Sequence, residues 1–239
     1  MKNEPRHILA LETSGQIGSV ALGTETGLVA AQQLSGPLSH KAALMPAVDD
    51  LLQQQDWSAN TLTDVFVSIG PGSFTGLRIG VTIARTLAWS VGAQIVAVKT
   101  LDGLARNALS LDKPPAHVAV MLYAQRAKAF AAAFDLAEGR YVRVIDACMA
   151  DPCEFLKRCP QPVAVLGEGI PKYREAIKAS GANVLDEELW TPRAENIFEI
   201  GITKANTGQF TSARELLPLY IRRPAPEEKW EQRHNSAPR

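Results

Sequence analysis

The chain has 239 residues, 46% hydrophobic and 21% charged, a composition that excludes an intrinsically disordered protein. Lysine and arginine total 25, as do aspartate and glutamate. Coating of nucleic acid through global charge is therefore excluded, because neutralising phosphate needs a surplus of cations, and only a local basic patch is left open. No window reaches the ~18–20 uninterrupted apolar residues of a membrane span, and the polar start Met1–Arg6 has no signal-peptide character.

In chain order, His7–Ser14, Gly18–Gly23 and Gly27–Leu34 are three short apolar runs separated by tight turns, which predict an antiparallel meander. A helix follows over Ser39–Gln55, with Leu44, Val48, Leu51 and Leu52 on one face. Pro46 cannot donate a hydrogen bond inside it, so the helix is expected to kink there or to begin close by. Asp64–Ile69 reads as a buried strand, then a glycine-rich loop, a helix over Gly76–Val91, a strand Gln94–Val98 and a helix Thr100–Leu109. The pattern then restarts. Strands are expected at His117–Ala124, Lys128–Phe134 and Gly139–Asp146, and a helix at Pro152–Arg158. After these come a strand Pro162–Leu166, a Gly-Glu-Gly loop at 167–169, a helix Pro171–Ser180, a short strand Ala182–Leu185 and a helix Glu195–Asn206. Cys148, Cys153 and Cys159 form no CxxC pair and have no histidine nearby, which fits reduced thiols in a cytosolic protein rather than zinc ligands.

The same order of elements thus occurs twice, once from His7 and once from His117. A meander whose first strand continues into parallel strands with crossover helices resembles a ribonuclease-H-like layer. Two such layers resemble the two-lobed architecture of the actin, sugar-kinase and Hsp70 superfamily, an α/β fold. The predicted division is an N-terminal lobe over residues 1–109, a C-terminal lobe over 110–215 and a mobile tail over 216–239. The Ser110–Pro115 segment serves as linker, since paired prolines cannot continue a helix.

The loop Gly70-Pro71-Gly72-Ser73-Phe74-Thr75-Gly76-Leu77-Arg78-Ile79-Gly80 is the most informative segment. Leu77 and Arg78 stand where a Walker loop needs Lys and Ser/Thr, and Thr75 stands at the third glycine of a dinucleotide fingerprint. Its glycines permit positive φ and close backbone approach, Ser73 or Thr75 is a helix cap, and the free N–H groups of the helix start suit an anion. A structural turn with packing glycines fits the spacing as well. In the following helix, Gly76, Gly80, Ala84 and Ala88 recur every fourth residue and flatten one face, with Leu77, Ile83, Leu87 and Trp89 as the apolar body. Such a face admits another helix closely, either the chain's own first helix or a partner's.

The opening HILALETSGQIGSVAL, the segment Ser39-His40-Lys41-Ala42-Ala43-Leu44-Met45-Pro46, the loop GPGSFTGLRIG, Gly167-Glu168-Gly169 and Pro218-Leu219-Tyr220-Ile221-Arg222 together resemble, in order, the bacterial TsaB (YeaZ) family. The resemblance implies a part in making N6-threonylcarbamoyladenosine at position 37 of tRNA, as a noncatalytic, cytoplasmic scaffold. Its implied partners are the catalytic paralogue TsaD, the ATPase TsaE and a second copy of itself. Contact with tRNA is implied only through the complex. The implied partner surface comprises His40, Leu44, Val48 and Leu51 on one helix and Gly76, Gly80, Ala84 and Ala88 on the other. No cofactor is implied as required, with at most weak ATP or ADP binding at the interface with TsaD. The candidate anion or nucleotide contacts are Glu12, Thr13, Ser14, Gly72, Ser73, Gly167 and Gly169.

What the sequence lacks supports a scaffold. His7, His40, His117 and His234 include no HxxxH pair, so the two-imidazole helix face of a metallopeptidase or a TsaD-like transferase is missing. Kinases and ATPases of this fold hold hydrated magnesium with an acid in each lobe's first turn. Here Glu12 stands at the first, but Tyr123 stands where the family's DARxGEVY segment begins, and Lys128 stands at that segment's Glu. An actin-like ATPase or small-molecule kinase using the interlobe cleft is the alternative. His40 reads as structural rather than catalytic. Arg78 suits a phosphate or a partner carboxylate, though an internal ion pair is the commoner outcome. The proline-rich, charged end from Arg222 reads as a solvated tail.

Overall fold

The computed structural model describes residues 5–34, 40–125 and 127–221, without the side chains of residues 40–42. Ser39, Arg126, the tail from Arg222 and the contacts expected of His40 lie outside it.

The first sheet is built from the meander β1 (Ile8–Glu12), β2 (Ser19–Thr24) and β3 (Gly27–Gln33). To this the crossovers α1 (His40–Gln54) and α2 (Phe74–Val91) add β4 (Asp64–Ser68) and β5 (Gln94–Val98). Strand order is β3-β2-β1-β4-β5. Ala10 of β1 lies opposite Ala21 in the antiparallel ladder and opposite Phe66 in the parallel one. After α3 (Thr100–Ala105) and a 3-10 turn Arg106–Ser110, a second sheet begins. It comprises β6 (His117–Tyr123), β7 (Ala129–Ala137) and β8 (Arg140–Ala150), then β9 (Ala164–Leu166) and β10 (Asn183–Val184), in the order β10-β9-β6-β7-β8. Helices α4 (Pro152–Arg158), α5 (Ile170–Ser180) and α6 (Ala194–Asn206) complete the α-helices of the described residues. β6 pairs antiparallel with β7 and parallel with β9, as β1 does with β2 and β4. The fold is a duplicated, two-lobed α/β structure of the ribonuclease-H-like kind.

Side chains alternate across a strand, and β1 is buried on both faces. Leu9 and Leu11 join Leu44, Val48 and Leu51 of α1 and Val81 and Ala84 of α2. Ile8 and Ala10 face the other way, onto Ile197 and Phe198 of α6. Each fully buried Leu or Phe is worth ~1.5–3 kcal/mol, so α6 is structural to the first sheet although it follows the second in sequence. The converse holds for α3, whose Leu101, Leu104 and Ala105 belong to the second sheet's core. The two helices are exchanged between lobes and cross the linear division at residue 110. Asn107 ties the exchange: its buried amide donates to the carbonyls of Leu189 and Thr191 at 2.8 Å, and its Oδ1 accepts from Asn196 Nδ2 at 2.5 Å.

Local differences from the sequence reading have local causes. Helix α1 runs through Pro46 without a break in assignment, with the proline exposed to water, where a lost backbone bond costs least. Ser73 caps α2 by accepting from Gly76 N at 3.2 Å, so that helix begins at Phe74 rather than Gly76. Residues 216–221 are not part of a free tail. Leu216 is in the first sheet's core, and Leu219 N donates to Ile69 O at 2.7 Å, beside the glycine loop.

Candidate functional site at the junction of the lobes

β1 ends in Glu12, Thr13 and Ser14, all buried in the turn toward β2. Glu12 Oε1 accepts from Ser14 N and Ser14 Oγ, both at 2.5 Å, and from Ser68 Oγ at 3.0 Å. Glu12 Oε2 is buried without a partner. Burial pushes this carboxyl above its ordinary range, opposed by the bonds from Ser14 and Ser68.

The glycine loop closes over this turn. Ser73 N donates to Ser14 O at 2.7 Å. A Cβ at Gly76 would lie 1.9 Å from Thr13 O, and one at Gly80 would lie 2.4 Å from Thr13 Oγ1. The flat face of α2 is therefore filled by the β1–β2 turn of the same chain. Gly76, Gly80 and Ala84 are buried there, and Leu44, Val48 and Leu51 are core residues. Within the chain itself these six positions are packed internally: Gly76 and Gly80 against the strand-end turn, and Ala84, Leu44, Val48 and Leu51 in the first sheet's core. Ala88 is half-buried.

The second lobe closes the turn from the other side. Gln16 N donates to both oxygens of Glu168, each at 3.0 Å. Burial pushes Glu168 up to about 7, with the Glu12 charge adding and the Gln16 bond opposing. Gly167 and Gly169, which flank it, are packed on the end of β6: Gly169 N donates to Met121 O at 3.0 Å, and a Cβ on Gly167 would lie 2.3 Å from that oxygen. Of the candidate anion contacts, the structure brings Glu12, Thr13, Ser14, Gly72 and Ser73 together and sets Gly167 and Gly169 on the opposite side of Gln16. It turns their polar groups inward. The N–H groups of Ser14, Gln16, Ser73, Gly76 and Gly169 all have acceptors within the chain. A phosphate reaching those five donors would have to displace the acceptors they already have.

The corresponding turn of the second lobe is open. Tyr123 is 53% exposed, and Gln125 and Lys128 are exposed beside it. The Arg78 guanidinium lies 3.9 Å above the Phe74 ring, and its Nε donates to Tyr220 OH at 3.1 Å. Tyr220 also packs on Phe74 with ring centroids 5.5 Å apart. The late Pro-Leu-Tyr-Ile segment thus docks on the start of α2. His7 stacks on Trp57 at 3.9 Å, and His117 Nδ1 lies 2.7 Å from Asp135. Among the described residues no group of three or more His, Cys, Asp or Glu is placed to hold a metal. No helix among them is long and apolar enough to cross a membrane. Sequence reasoning missed Gln16, Ser68 and Glu168. The signal for Glu168 was its place between two glycines, which drew attention instead of the acid.

A family model described as TsaD, tRNA N6-adenosine threonylcarbamoyltransferase, matches residues 37–230. The tRNA threonylcarbamoyladenosine biosynthesis protein TsaB of Bacillus subtilis (strain 168) is 30% identical over 229 residues, covering 93% of this chain and 97% of that one. The protein of the same name in Escherichia coli (strain K12) is 26% identical over 219 residues, covering 90% and 94%. Among solved structures, a Pseudomonas aeruginosa protein described as similar to peptidase YEAZ superposes with a TM-score of 0.79 at 25% identity, covering 91% of this chain and all of its own. YeaZ from the same organism gives 0.76 at 25% identity, over 90% of this chain and 99% of that one. Sheet order, glycine loop and relatives agree, and the chain belongs to the TsaB family of tRNA threonylcarbamoyladenosine biosynthesis proteins, inside the wider family that the transferase model describes.

Proposed function

We propose that this chain is a noncatalytic subunit in the biosynthesis of N6-threonylcarbamoyladenosine in tRNA. It pairs with a TsaD-like transferase paralogue, acts with a TsaE-like ATPase and meets tRNA through that complex in the cytoplasm. One observation carries the reading: in the candidate anion-binding turn of the first lobe, the donors of Ser14 and Gln16 are taken by the chain's own carboxylates, Glu12 and Glu168. Work in the pathway then falls to contacts with a partner, and this chain requires no cofactor of its own. Adenine nucleotide enters, weakly, only at the joint with the paralogue.

The surface for that contact is the outer side of α1 and α2, where Met45 (41%), Phe74 (41%) and Trp89 (64%) are exposed. Large apolar side chains held on rigid helices are the usual anchors of an interface. Free of the paralogue, the same surface pairs two copies of the chain. The test is co-purification with the same organism's TsaD-like protein, read by light scattering with and without ATP. Wild type is expected to form a heterodimer without nucleotide, and Trp89→Glu and Met45→Glu to weaken it at least tenfold with unchanged thermal midpoints. A complex indifferent to both substitutions would overturn the surface, and the absence of any complex would overturn the scaffold. Magnesium-dependent binding of ATP to the chain alone would favour the ATPase or kinase alternative.

A further inference from the structure

Away from the junction, a cavity of about 230 Å³ opens between the two exchanged helices and the edge of the second sheet. Its cations come from three places: Arg106 after α3, Arg140 and Arg143 on β8, and Lys204 on α6. Its acids are Asp102 on α3 and Glu199 on α6, and Phe134 and Ile200 provide an apolar wall. The charges are not balanced pairwise. Asp102 is used up by Arg143, which grips both of its carboxylate oxygens. Glu199 meets Arg106 only at 3.8 Å and is 46% exposed. Among the described residues Arg140 has as its acid only Glu138, at 3.9 Å and 87% exposed, a contact worth little in water. Lys204 Nζ donates to a neutral acceptor, Ala97 O, at 2.7 Å, and burial lowers its pKa below the ordinary lysine value. Arg106 Nε is buried with no acceptor.

Four cations and two carboxylates line one half-enclosed space. The further acids that reach its arginines, Glu138 at Arg140 and Asp146 at 3.3 Å from Arg143, are 87% and 94% exposed and neutralise little. The lining is therefore under-neutralised toward the cavity, the complement of a phosphomonoester dianion. An unmet guanidinium donor and an under-neutralised ammonium supply the charge-assisted hydrogen bonds that such a group takes. We propose that this cavity binds a small organic phosphate, its phosphoryl group held by Arg106, Arg140 and Lys204 and its apolar portion laid against Phe134 and Ile200. Because the walls belong to both exchanged helices and to β8, the ligand would tie the two lobes together at their crossing.

Isothermal titration of the full chain at constant ionic strength tests this with phenyl phosphate, inorganic phosphate and a chloride control. Phenyl phosphate is expected to saturate and to bind more tightly than inorganic phosphate. Lys204→Met should weaken it about tenfold and Glu199→Gln should tighten it about threefold. Glu199 is exposed, so its variant keeps the test valid where Lys204→Met fails to fold. No saturable binding, or affinities unchanged in Glu199→Gln, would overturn the proposal. A short single-stranded RNA that binds more tightly than phenyl phosphate, and responds to Glu199→Gln in the same sense, would overturn the small-molecule assignment.

Discussion

The two lobes share one topology and treat the same turn in opposite ways. In the first, the turn after the leading strand is largely buried, its donors are accepted by Glu12 and Glu168, its Ser14 carbonyl accepts from Ser73 N, and a helix face is cut down to glycine to cover it. In the second, the turn after β6 carries Tyr123, Gln125 and Lys128 out in water. Duplication copies the strand order because hydrogen-bond ladders and crossovers depend on pattern alone. It leaves the strand-end turns free to diverge, since a few side chains there decide between a filled and an open surface.

The contrast breaks most sharply at Gly76. Gly76→Val places new atoms on the Thr13 carbonyl, a collision with backbone that no rotamer relieves. It is expected to cost about 3 kcal/mol or more in denaturant unfolding. Gly139→Ala, at a hairpin with open space around it but φ of +73°, is expected to cost about 1 kcal/mol. Equal losses would remove the claim that the first turn is the more tightly covered.

A second measurement sharpens it through protons. Glu168 is raised from an ordinary glutamate value to about 7 in the folded chain. Between about pH 4.5 and 7 the folded state therefore binds more protons than the unfolded one, and stability falls as pH rises across that window. The loss is expected to be on the order of 3 kcal/mol. Glu168→Gln keeps an acceptor for Gln16 N and should flatten the slope, read as the urea midpoint against pH. A slope untouched by the substitution would place the titration elsewhere.

The smallest effect belongs to the open turn. Tyr123→Asp puts a carboxylate at an exposed site and is expected to change stability by no more than about 0.5 kcal/mol. A larger loss would mean that the stacking of Tyr123 on Tyr173, 6.5 Å between centroids, holds more than the geometry indicates.

Periodicity was enough to read β1 through β10 in order, because alternation and short apolar runs depend on neighbours in sequence. The helix exchange was not readable that way. Nothing local in Leu101, Leu104 or Phe198 says which sheet they cover, since either face is equally apolar. The small-residue stripe of α2 was visible, but its occupant was not: Thr13 is brought to Gly80 only by the parallel pairing of β1 with β4. Glu168 was hidden for the same reason, meeting Gln16 across the two lobes. The Phe74–Arg78–Tyr220 cluster joins the start of α2 to a segment that the sequence division placed in the tail.

The exchanged helices also set an order of events during synthesis. One face of the first sheet has all of its buried core but Leu216 by Val98, yet Ile8, Ala10 and Phe66 on the other wait for Phe198 and Ala205. At translation speeds of about 5–20 residues per second, that face stays bare for roughly 5–20 s after its own strands have emerged. The nascent chain must keep a half-covered sheet from pairing with its neighbours on the polysome, and only the last helix ends that exposure.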